Sequence, residues 1–148
     1  MPSNTPGNTS PIFSSGGTIN FTTLMTANNP THVSGNTSYL VFTAGNNGSF
    51  VQKIRFRHFA IVVSSNNTNA TVARVWINNG SDVTVANNST LFDEITISTM
   101  TYNAQAAQAN YELPLNFALP AGYRLYVTLG TAPAANTAIQ ATVIGGSY

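Results

Sequence analysis

Apolar residues in this chain recur at every second position, in short runs that Asn and Gly interrupt. A period of two places successive side chains on opposite faces of a strand. Thr18–Thr26 sets Ile19, Phe21, Thr23 and Met25 on one face, and Ser38–Ala44 centres on Tyr39-Leu40-Val41-Phe42. Phe50–Val63 aligns Ile54, Phe56, His58, Ala60 and Val62, and Thr71–Asn78 sets Val72, Arg74 and Trp76 against Ala73, Val75 and Ile77. Leu91–Ser98, Tyr111–Leu119, Tyr123–Leu129 and Ala138–Ile144 complete the series. Gly45-Asn46-Asn47-Gly48, Asn66-Asn67, Asn78-Asn79-Gly80 and Asn87-Asn88 fall between them, and Asn and Gly tolerate the positive φ of tight turns. About eight short strands at regular spacing predict an all-β fold, a single antiparallel β-sandwich of jelly-roll type. Asn103–Ala109 has the Ala and Gln of a helix but too little length for a stable one, so a loop or single turn is expected.

Composition narrows the function. Charged residues make up 6% of the 148, hydrophobic residues 43%, and cysteine is absent. Asn and Thr, about a quarter of the chain, supply the polarity instead. An ordinary domain carries roughly 25% charge, and a net charge of +1 leaves little electrostatic protection against self-association. Such a chain is built to assemble. Its whole acid–base inventory is Asp82, Asp93, Glu94, Glu112, His32 and His58. Adjacent Asp93 and Glu94 point to opposite faces of a strand, which suits no paired acid and base. Metal-ligand spacing and the nucleophile elbow are both missing. No catalysis, cofactor or metal is therefore expected. No apolar run approaches the ~18 residues of a membrane helix, and the start shows no secretory signal, so synthesis in the cytoplasm and no membrane partner are expected.

Two segments stand out as binding surfaces. Residues 1–17 hold three prolines, three glycines and no charge, with Ile12 and Phe13 the large apolar residues past Met1. They read as an extended arm ahead of a sandwich domain at 18–148, either a frayed terminus or an arm docking Ile12-Phe13 on a neighbouring subunit. Lys53-x-Arg55-x-Arg57 places three of the five cations on one strand face. That stripe is either a solvated outer face or a docking face for an acidic protein. Nucleic acid is not expected, because the remaining chain adds neither net positive charge nor a phosphate-binding loop. Trp76, Tyr102 and Tyr111 are the aromatics that, with Asn, could hold a sugar; for Trp76, mid-strand, core packing is the simpler role.

In the C-terminal half, Thr71–Asn79 (TVARVWINN), Thr90–Ile95 (TLFDEI), Leu119–Val127 (LPAGYRLYV) and the closing Ala141–Tyr148 (ATVIGGSY) follow one another in order. This order resembles small β proteins of tailed-bacteriophage virions, over roughly residues 71–148. Physics gives the third motif its own meaning: Pro120 ends a strand, and Gly122 can take the positive φ of a type II turn that launches the next. The resemblance implies a structural virion protein that decorates and cements the outer capsid surface. It would act as a homotrimer on the major capsid protein, with Ile12, Phe13, Lys53, Arg55 and Arg57 as contacts. A phage head- or tail-fibre module binding host glycans is the alternative.

Overall fold

The computed structural model describes residues 19–21, 25–32, 37–61, 67–103 and 105–148. Among these residues eight strands run in chain order: β1 (Ile19–Phe21), β2 (Tyr39–Thr43), β3 (Ser49–Ala60), β4 (Thr71–Asn78), β5 (Ser89–Ile97), β6 (Tyr111–Leu119), β7 (Arg124–Leu129) and β8 (Thr137–Ser147). They form two four-stranded antiparallel sheets, β1-β8-β3-β6 and β2-β7-β4-β5. Successive strands alternate between the sheets except at the β4–β5 hairpin, which is the jelly-roll order. The expected arm, with Ile12 and Phe13, lies outside the described residues. Among the described residues no helix is long and apolar enough to cross a membrane.

The core is what the alternation dictates. Val51, Ile54, Phe56, Ala141 and Val143 from one sheet meet Ala73, Val75, Leu125, Val127 and Leu129 from the other, and most of these are wholly buried. The phase of β3 changes once. Val51 pairs with Gly145 but Lys53 with Ile144, so Gln52 is an extra residue against β8. Past that bulge Ile54, Phe56 and His58 face inward and Lys53, Arg55 and Arg57 outward. On the β6 side Asn116, at φ 50°, supplies the irregularity.

Local signals set the turns. Gly48 (φ 88°) closes the β2–β3 turn with its N–H on the Gly45 carbonyl. Gly122 (φ 75°) sits third in a turn closed by the Tyr123 N–H on the Pro120 carbonyl at 3.2 Å, which is the type II arrangement. Of the segment expected as a loop or single turn, Asn103 and residues 105–109 are described and belong to no helix or strand, with the Ala106 N–H on the Asn103 carbonyl.

Candidate functional site

Lys53, Arg55 and Arg57 all reach the outer face of the β1-β8-β3-β6 sheet, with Ile54, Phe56 and His58 buried behind them. The three are not equivalent. Glu112 lies opposite Arg55 in the β3–β6 ladder and takes two cations at once, Lys53 Nζ at 2.8 Å and an Arg55 terminal nitrogen at 2.9 Å. Hydrogen bonds from Lys53 first, then Arg55, hold the Glu112 carboxyl below the usual carboxylate range. Arg74 on the other sheet is likewise paired, to Glu94 at 3.2 Å. Arg57 is exposed and has no ion pair among the described residues. The stripe is thus half-neutralised at Lys53 and Arg55, which share one carboxylate, and open at Arg57.

Arg57 faces a cleft of about 430 Å³ at the end of the sandwich where β3 finishes. Its floor is the outer surface of β3 and β8, where Gln140 lies opposite Arg57 and Phe59 follows. Its wall is the β5–β6 connection, through Tyr102, Asn103 and Gln108. Thr68 anchors that wall: its N–H and hydroxyl bond the Met100 carbonyl at 2.8 and 3.1 Å, and its hydroxyl accepts the Met100 N–H at 2.8 Å. Thr101 adds a bond to Asn67 Oδ1 at 2.7 Å. Beneath the cleft, His58 Nε2 sits 3.1 Å from the Ser98 carbonyl, so Nε2 carries the proton. Its Nδ1 is buried without a partner among the described residues, and burial holds the imidazole below its usual pKa, against a smaller opposite pull from the Ser98 carbonyl. Tyr111 packs edge-on against the same ring.

The second sheet carries a different surface. Leu40 pairs with Tyr126, Tyr126 with Trp76, and Trp76 with Leu91, so one row crosses all four strands on the outer face. Leu40 and Leu91, 48% and 46% exposed, flank the two aromatics. His32, from the segment between β1 and β2, covers the centre: its ring stacks on Trp76 at 4.7 Å and 12° and lies 5.6 Å from Tyr126. Asn29 Oδ1 accepts the His32 N–H at 2.9 Å and holds the residue at φ 64°. Trp76 therefore packs on the sheet's outer surface, with its Nε1–H on Thr128 Oγ1 at 2.9 Å. Phe92, extra in β5 where Val75 pairs with Asp93 and Trp76 with Leu91, turns at the edge to meet Phe117 of β6, ring centroids 4.5 Å apart.

Among the described residues no three His, Asp or Glu side chains gather as a metal site. No protein-family model matches the chain, and no curated protein matches it in sequence. Sequence reasoning reached Arg57 and Tyr102 singly. It missed Glu112 as the shared partner, Gln140 as the neighbour of Arg57, and the row through Leu40, Tyr126, Trp76 and Leu91. Outward parity of Arg124-Tyr126-Thr128 and of Arg74-Trp76 was the available signal, but only cross-strand register aligns the two.

Proposed function

We propose that this chain is a structural protein of a tailed-phage virion, decorating and stabilising the outer capsid surface through contacts between subunits. The row Leu40–Tyr126–Trp76–Leu91 carries the reading. Its ends, Leu40 and Leu91, are exposed apolar side chains three strand spacings apart, roughly 14 Å, on either side of the His32 that covers the centre, on a chain with 6% charge. A specific interface needs about 1,000 Å², to which these leucines, an arm bearing Ile12 and Phe13, and the Lys53-Arg55-Arg57 face would each contribute. The jelly-roll order is in keeping with this, since the architecture recurs in capsid proteins, though it also hosts other functions. The assembly is a homotrimer seated on the major capsid protein, where symmetry turns weak contacts into slow release.

The test is occupancy of purified phage particles by the parent protein, by the Leu40→Ser/Leu91→Ser double variant, by a chain lacking residues 1–17 and by the Lys53/Arg55/Arg57→Gln variant. The first two changes should lower occupancy while the sandwich stays folded. The third should slow binding and flatten its salt dependence, because rim charges act mainly on association. A monomer in light scattering together with undiminished occupancy of every variant sinks the reading.

A further inference from the structure

We propose that the cleft beside Arg57 binds a carboxylate-bearing sugar. This stands apart from the particle reading and rests on the cleft alone. Its volume, about 430 Å³, lies within the ~300–1,000 Å³ of small-molecule sites. The polar groups that converge there are amides: Gln140 from the floor, Asn103 and Gln108 from the wall. An amide presents a donor and an acceptor side by side, which matches a sugar hydroxyl that is both at once. Gln108 and Gln140 make no side-chain hydrogen bond among the described residues, and Asn103, whose Oδ1 accepts the Gln105 N–H at 2.8 Å, keeps its Nδ2 donors. Phe59, 45% exposed, and Tyr102 add the apolar surface on which the C–H face of a pyranose ring packs.

Charge selects among sugars. No carboxylate lines the cleft, and Arg57 is its cation. A guanidinium fork fits a carboxylate with two parallel hydrogen bonds. Lys53, Arg55 and Arg74 are occupied by Glu112 and Glu94, whereas Arg57 is available. One cation without a glycine-rich loop is poor provision for a phosphate ester.

Amide-resolved NMR titration of the folded protein tests this with galacturonate, galactose and acetate. Galacturonate should move the backbone amides of Arg57, Asn103 and Gln140 with a Kd of order 1 mM, and galactose should bind about tenfold more weakly. Arg57→Gln should erase that preference, since hydrogen bonds to charged groups account for a factor of about ten or more. Gln108→Ala, a change in the loop, should weaken both sugars. Trigalacturonate binding more tightly than the monomer assigns the source to a polysaccharide, and equal affinity to a free sugar. Absence of shifts at the cleft overturns the proposal, as does equal affinity for galactose and galacturonate. Acetate competing on equal terms with galacturonate overturns it too, leaving only an adventitious anion contact.

Discussion

Gly145 is the position where a single methyl group should do most damage. It pairs with Val51 in the β3–β8 ladder, next to the Gln52 bulge, and a Cβ there would lie 2.5 Å from the Phe50 carbonyl oxygen and 3.2 Å from Val51 Cα. Carbon–oxygen contacts between strands run at about 3.3–3.6 Å, so Gly145→Ala must part the backbones by about 0.8 Å. Ladder bonds near 2.9 Å then stretch to about 3.7 Å, past hydrogen-bonding range. Overpacking costs about 1–3 kcal/mol, and one weakened buried bond adds about 1 kcal/mol more, so about 3 kcal/mol is expected. For a chain of this length each kcal/mol lowers Tm by roughly 2–4 °C, giving a drop of about 6–12 °C in thermal unfolding followed by circular dichroism at fixed protein concentration. Gly122→Ala is the comparison. Nothing lies within 4 Å of its Cβ position, and its φ of +75° makes the cost purely conformational, about 1 kcal/mol. If Gly145→Ala melts no lower than Gly122→Ala, the close approach of β8 to β3 is not there.

Acid should destabilise the fold before any carboxylate titrates. Burial holds both His32 and His58 below their ordinary 6.5, so below that pH the unfolded chain binds more protons and stability falls as pH drops. Melting temperature measured from about pH 7.5 to about pH 5 should decline, and His32→Gln and His58→Gln should each flatten the decline; a rise over that window contradicts it. Trp76→Phe keeps an aromatic ring against His32 but strips Thr128, which is fully buried, of its donor, at a cost of about 1–2 kcal/mol. Adding Thr128→Val should recover much of that loss in denaturant unfolding, because removing both partners leaves no orphan.

Strands with clean alternation and marked ends were legible. Thr71–Asn78 and Tyr111–Leu119 are β4 and β6 residue for residue, the first ending at the Asn-Gly turn and the second at Pro120. β3 was legible as a strand, but its change of phase was not, because Gln52 looks like any other polar residue until two neighbouring strands are placed beside it. The site was legible only in pieces. Arg57 and Gln140 stand far apart in sequence and meet through register. Glu112 reads as an isolated acid until β6 lies against β3. His32 follows a proline in a polar loop, and its burial comes from Trp76, which local periodicity does not bring near it.

The sheet order also governs how the chain reaches this state. Among the described strands only β4 and β5 pair across a short loop, Asn78 with Ser89. Every other ladder joins distant segments: Ile19 with Ile144, Tyr39 with Val127, Phe56 with Tyr111. Loop closure has to be met before such contacts reward it, which places the fold among slow, millisecond-to-second folders. The β1-β8-β3-β6 sheet cannot close until residues 137–147 have been synthesised, since β8 lies between β1 and β3. Until β6 and β7 emerge, the β4–β5 hairpin is the one ladder among the described strands that can form, and the apolar faces of the earlier strands wait unpaired. A nascent chain of this topology keeps unpaired strand edges until late in the domain: β2 and β4 are joined only when β7 emerges, and β1 and β3 only when β8 follows.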